Sequence, residues 1–187
     1  MEKIISRTVK TVALATILLV GCLALAQAAP RVELQAGYTF LNLDPSNGPK
    51  GVLHGWTGST QFNVTRRLGF VAEAGGSYGK DLYVNETVHT YTFGPRVSIY
   101  RGERVNFFGH TLLGVGYLRA SRGGSFDTAR GFSTAIGAGV DVGLTKHLGA
   151  RLIQTDYLMS RFADSNQHNF RFSTGLVLRF GGESKAK

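Results

Sequence analysis

The chain has 187 residues, 43% of them hydrophobic, with 25 glycines, only 4 prolines and a formal charge of +9. That length fits one domain, and the composition is too apolar for a disordered chain and lacks the regular glycine triplet of a fibrous one. A basic balance admits nucleic acid as a partner, but the first segment of the chain argues against it.

Lys3, Arg7 and Lys10 precede an almost wholly apolar run from Thr11 to Ala26, and Ala26-Gln27-Ala28 supplies the small-x-small pattern of a cleavage site. Residues 1–28 therefore read as a cleaved export signal, with the mature chain starting near Ala29. Two other readings stand beside it. Leu19-Val20-Gly21-Cys22 resembles a lipoprotein processing site with Cys22 lipidated, although Leu23 to Ala26 continue the apolar run beyond it. The run also admits an uncleaved anchor, but it is short for a spanning helix of roughly 20 residues. Removing residues 1–28 takes away three basic residues and Glu2, so the charge falls from +9 to +7. An exported basic chain meets anionic lipid headgroups and lipopolysaccharide phosphates rather than nucleic acid. Cys22 is the single cysteine, so cleavage after Ala28 leaves none for a disulfide.

Beyond residue 30 alternation at period two replaces helical spacing. In chain order, Val32-Leu34-Ala36-Tyr38-Phe40 opposes Glu33, Gln35, Gly37 and Thr39; Trp56 to Val64 opposes Thr57, Ser59, Gln61 and Asn63; Leu68-Phe70-Ala72-Ala74 opposes Gly69, Val71, Glu73 and Gly75. Tyr91-Phe93-Pro95-Val97-Ile99 follows with Arg96 on its other face, and Pro95 predicts a local bulge. The fifth segment sets Phe107, Leu113 and Tyr117 against Asn106, Phe108 and His110; the sixth sets Phe132, Ile136 and Leu144 against Ser133 and Asp141. The seventh sets Ile153, Tyr157 and Met159 against Gln154 and Asp156, with Leu152 and Leu158 blurring its parity; the eighth sets Phe170 to Phe180 against Asn169, Arg171, Ser173, Gly175 and Arg179.

Short links at 65–67, 101–104 and 145–147 alternate with longer polar ones at 43–53, 79–88, 118–130 and 160–168. Transmembrane barrels alternate in this way, with short turns on the periplasmic side and longer loops outside. The bulky face carries Tyr, Phe, Trp, Ile, Leu and Val, and the other carries Gly, Ser, Thr and charges. A soluble barrel packs its bulky face inward. An eight-stranded lumen is narrow, so here the small polar face fits inside and the bulky one meets lipid. Tyr38, Phe40, Trp56, Phe70, Tyr117, Tyr157 and Phe180 lie near strand ends, where interfacial girdles sit. The fold class that follows is all-β: an eight-stranded antiparallel up-and-down transmembrane barrel over residues 29–180, monomeric, in the cell outer membrane, with 181–187 as a short polar periplasmic tail.

The terminal segment Ser173-Thr174-Gly175-Leu176-Val177-Leu178-Arg179-Phe180 resembles the last-strand signal of the small OmpA-like and OmpX-like outer-membrane barrels. The resemblance covers residues 31–180. It implies recognition of this strand by the barrel-assembly machinery through Ser173, Gly175, Leu178 and Phe180. One departure is that residues 181–187 follow the aromatic, where many members end on it.

The chemistry-bearing residues form a lumen charge set: Glu33, Glu73, Asp141 and Asp156 against Arg96, Arg171 and Arg179, with His110 at similar depth. Enclosed charges must be paired. The set reads either as a salt-bridge plug or, as the resemblance permits, as a narrow pore gated by partner exchange. A lipid- or lipid A-modifying enzyme would need a nucleophile beside a base; His89, His110 and His168 are the bases and Ser77, Ser121 and Ser160 the nucleophiles, but no spacing selects a pair, and the chain reads as non-enzymatic. The five histidines are scattered, so no metal and no cofactor is expected. Arg119, Arg122 and Arg130 around the third long loop are candidates for contact with lipopolysaccharide phosphates, against the alternative of a plain solvated loop. Adhesion to a surface is disfavoured by modest loop lengths.

Overall fold

A computed structural model describes residues 32–43, 51–81, 84–122, 125–162 and 165–181. The expected export signal, Cys22 and the tail beyond 181 lie outside these residues. Eight strands, β1 (Val32–Leu43), β2 (Gly51–Asn63), β3 (Leu68–Asp81), β4 (Val84–Arg101), β5 (Val105–Arg122), β6 (Ser125–Gly143), β7 (Leu148–Phe162) and β8 (Ser165–Phe180), form a closed barrel in chain order. Every neighbouring pair is antiparallel, and β1 pairs with β8 to close the ring, with Glu33 opposite Arg179. Closure leaves no edge strand, so the backbone N–H and C=O groups of the wall pair within the sheet, which lipid demands.

The alternation decides which side chains meet lipid. Phe93 and Ile99 on β4 are 68% and 69% exposed on the outer wall, whereas Arg96 between them is 2% exposed inside. Two of the short turns share one construction. At Val64–Leu68 and again at Leu144–Leu148 the Leu carbonyl accepts from two successive backbone N–H groups. The turn Thr, Thr65 or Thr145, accepts from that Leu's own N–H through its Oγ1.

Three features differ from the sequence reading. The long links at 79–88, 118–130 and 160–168 are continued hairpins: β3 runs to Asp81 and β4 starts at Val84, and β5–β6 and β7–β8 close up in the same way. Apolar alternation marks only the lipid-facing part of a strand, while the hydrogen-bonded ladder runs on past it. Pro95 carries no bulge. Register is the same on both sides of it (Phe93↔Leu113, Arg96↔His110), and the slip lies between Ser98 and Tyr100, because a missing N–H removes one rung without inserting a residue. The parity blur in β7 has two sources: Leu158 keeps the register and faces inward, 3% exposed, in an apolar cluster, whereas Leu152 belongs to a bulge. Register shifts between Arg151 and Gln154, so Leu152 and Ile153 both face out, 58% and 48% exposed, and Arg151 turns inward.

Candidate functional site

The lumen is layered from the turn end to the loop end. At the turn end Glu33 accepts from Arg101 Nη2 at 3.2 Å and from Asn63 Nδ2 at 2.9 Å, and lies 3.8 Å from Arg179 Nε across the closing seam. In the middle Asp156 is the hub. His110 Nε2 donates to its Oδ1 at 2.8 Å; Arg171 Nε and Nη2 donate to its Oδ2 at 2.9 and 2.6 Å, and Gln154 Nε2 at 2.9 Å. Arg171 Nη2 also donates to Glu73 Oε1, and Gln154 Nε2 reaches Glu73 Oε2 at 3.3 Å. Beside this hub Arg151 donates through Nε and Nη2 to the two oxygens of Asp141, at 2.7 and 3.1 Å, and through Nη1 to Gln154 Oε1 at 2.6 Å. Gln154 thus joins the two ion pairs into one network that is buried throughout.

Arg96 stands apart. Its Nη1 donates to Gln61 Oε1 at 2.7 Å, and its guanidinium carbon lies 4.0 Å from the Phe108 ring centroid. The Arg151 guanidinium lies 4.7 Å from the same ring. Toward the loop end the charges give way to a packed apolar cluster that includes Leu41, Leu53, Val88, Leu112 and Leu158, with Leu118 against it.

The structure therefore brings Glu73, His110, Asp156 and Arg171 together, sets Glu33 with Arg179, and gives Asp141 a partner absent from the sequence-derived set. That partner is Arg151, and the missed connectors are the amides Gln61 and Gln154. The paired apolar residues Leu152-Ile153, which break period two, were the available sign of a bulge and so of Arg151's inward turn.

Among the described side chains no candidate nucleophile is hydrogen-bonded to a candidate base: His110 Nε2 is on Asp156 and Ser160 Oγ is on Ser133 Oγ. Ser77 and Ser160 are buried in the lumen, whereas His89 packs on Tyr78 and His168 Nδ1 is hydrogen-bonded with Tyr157 Oη at 2.6 Å on the outer wall. The side chain of Ser121 lies outside the described residues. On the outer wall near the loop end, the Arg130 guanidinium sits 5.6 Å over the Tyr117 ring, and Arg119 is exposed beside it; the Arg122 side chain lies outside the described residues. In the terminal strand Ser173 and Gly175 face inward, and Leu178 and Phe180 face outward. A side chain at Gly175 would overlap the Ala36 carbonyl, so β8 can lie this close to β1 only with glycine there.

The family model described as outer membrane protein beta-barrel domain matches residues 12–180. No curated protein matches the chain. Among solved structures, Neisserial surface protein A is similar with a TM-score of 0.67 at 14% identity, covering 80% of this chain and 97% of that one. Ail, the attachment invasion locus protein of Yersinia pestis, is similar with a TM-score of 0.57 at 16% identity, covering 80% and 99%. OprG from Pseudomonas aeruginosa is similar with a TM-score of 0.55 at 12% identity, covering 84% and 99%. At such identities the likeness is one of fold.

Proposed function

Because this chain belongs to the family of outer-membrane β-barrel domains, and so to the outer membrane, we propose that it serves there as a closed structural barrel whose lumen is a seal rather than a passage. One observation carries this reading: Asp156 holds His110, Arg171 and Gln154 at once, and none of these side chains reaches solvent to a useful degree. Opening a path would strip several buried ionic contacts together, each costly to leave unpaired. The apolar cluster around Leu41, Leu53 and Leu158 supports the same reading, since a dry constriction excludes hydrated ions. The pore alternative uses the same charges but requires Arg171 to leave two carboxylates.

In this account residues 1–28 are removed on export, the mature barrel is a monomer, and Ser173, Gly175, Leu178 and Phe180 are read by the barrel-assembly machinery. No reaction is assigned: on the barrel wall Ser77 and His89 point to opposite sides, as do Ser160 and His168. A second reading, compatible with the first, is contact with lipopolysaccharide. It is favoured by Arg130, held over Tyr117 next to Arg119 on the lipid-facing wall.

Liposome swelling tests the seal. Vesicles carrying the barrel are expected to swell in small sugars and amino acids no faster than empty ones, while a general porin swells them readily. Swelling that scales with the amount of folded barrel contradicts the proposal.

A further inference from the structure

The hairpins that close at the loop end of the barrel carry one pattern on the outer wall: the first strand supplies a tyrosine and the second a basic side chain that touches it. In β1–β2 Tyr38 Oη is hydrogen-bonded with His54 Nδ1 at 2.8 Å, and in β7–β8 Tyr157 Oη with His168 Nδ1 at 2.6 Å. In β3–β4 the rings of Tyr78 and His89 pack edge to face with centroids 5.7 Å apart, and in β5–β6 the Arg130 guanidinium lies 5.6 Å over Tyr117. Each of these residues is in the loop-end half of its strand, and none is buried.

Their neighbours offer no counterion. β1 and β3 set Tyr38 and Tyr78 beside His54. Tyr78 of β3, with Tyr117 and Arg119 of β5, surrounds His89, and Tyr91 follows it on β4. β7 sets Tyr157 and Arg161 beside His168, and the described part of β1 brings it no charged group. Among the described side chains no carboxylate stands on this wall. Glu33, Glu73, Asp141 and Asp156 are in the lumen, Glu86 has the parity of the lumen-facing Val88 and Thr90, and Glu103 lies in a turn at the other end. A cation here must find its anion outside the protein.

The third hairpin shows which charge this station takes, because arginine, a permanent cation, stands there in the place of histidine. An imidazolium donates from both ring nitrogens. His54 and His168 spend Nδ1 on tyrosine, so Nε2, on the opposite side of each ring, is the donor left for a partner. Tyrosines and basic residues gather at the headgroup level of a membrane, and the anions of the outer leaflet are phosphates.

We propose that the four tyrosine–base pairs form a belt of equivalent phosphate sites for lipopolysaccharide, in which His54, His89 and His168 become phosphate ligands as they take up protons. The belt rests on the lipopolysaccharide contact proposed above for Arg130, and adds to it three further residues and a response to pH.

Retention of the folded barrel on immobilised lipopolysaccharide is compared at about pH 7.5 and about pH 5.5, on either side of the ordinary histidine range. The wild-type barrel is expected to bind roughly fivefold or more tightly in acid. Acid also removes charge from phosphate monoesters, which weakens the attraction, so the gain cannot come from the lipid. The variant carrying His54→Gln, His89→Gln and His168→Gln is expected to lose most of the gain, with its folding checked by heat-modifiable gel migration. On dephosphorylated lipopolysaccharide the wild-type gain is expected to vanish. A gain that is absent, that survives in the triple variant, or that persists without phosphate overturns the belt and leaves the Arg130 contact standing. No retention at either pH overturns both. If the triple variant does not fold, the wild-type comparison with dephosphorylated lipopolysaccharide, together with His168→Gln, decides.

Discussion

Arg151 and Asp141 face each other across the β6–β7 seam in a two-pronged ion pair inside the barrel, Nε to Oδ1 at 2.7 Å and Nη2 to Oδ2 at 3.1 Å, with 1% and 0% side-chain exposure. Removing one member leaves the other buried and unpaired. Arg151→Met and Asp141→Asn are each expected to cost about 3–5 kcal/mol in urea unfolding from detergent micelles or vesicles. The double variant should cost clearly less than their sum, because no orphaned charge remains. Additive losses would mean that the two side chains do not interact.

The Arg151 position depends on a backbone device that is separable from its charge. Leu152 and Ile153 occupy the bulge that lets Arg151 and Gln154 both point inward. Deleting Ile153 removes the extra residue and leaves Arg151 inward, Leu152 outward and Gln154 inward, so both ion pairs keep their faces and the strand alternates without a bulge. The deletion variant is expected to keep the folded band on an unboiled gel. An unfolded band would show that the extra residue is needed for the barrel to close.

Two glycines on different faces make opposite forecasts. A Cβ at Gly137 would overlap Asp156 Oδ1 and lie 2.5 Å from the Thr155 carbonyl, whereas a Cβ at Gly58 has only the Gln35 carbonyl, at 3.7 Å, within reach. Gly137→Ala should therefore disturb the hub carboxylate and lower the unfolding midpoint by an amount typical of a strained core position, about 1–3 kcal/mol. Gly58→Ala should be tolerated within about 0.5 kcal/mol. Equal effects at the two sites would argue that the wall near Asp156 is looser than the structure has it.

Replacing Arg119, Arg122 and Arg130 together by Ser tests the lipopolysaccharide reading. Reduced retention on immobilised lipopolysaccharide at low salt, with the difference shrinking as salt screens exposed charges, is the expected outcome. Unchanged retention assigns the three arginines to a solvated rim.

What could be read from sequence follows from what lipid and the lumen each impose. Lipid forces strict alternation, so the eight strands, the outward Phe93 and Ile99 and the inward Asp156, His110 and Arg171 were all legible from period two. Alternation fails wherever one residue is inserted, and so Arg151 was missed although its position beside Leu152-Ile153 marks the break. Strand ends above the lipid face water on both sides and carry no apolar stripe, which is why ladder residues from Gly79 to Val88 and from Leu118 to Arg130 read as loops. The partners of individual charges were not legible at all. Asp141 choosing Arg151 depends on the register across the β6–β7 hairpin, and Arg96 meeting Gln61 depends on barrel curvature, which sets side chains of β4 and β2 at one depth although β3 lies between them.

Single-channel recording in planar bilayers, comparing the wild-type barrel with Arg171→Ala, addresses the sealed lumen most directly. The wild-type barrel is expected to insert and stay electrically silent, and Arg171→Ala, which frees Glu73 and Asp156 together, is the variant in which leak should first appear. Discrete, reproducible wild-type openings that scale with the folded fraction would contradict the account.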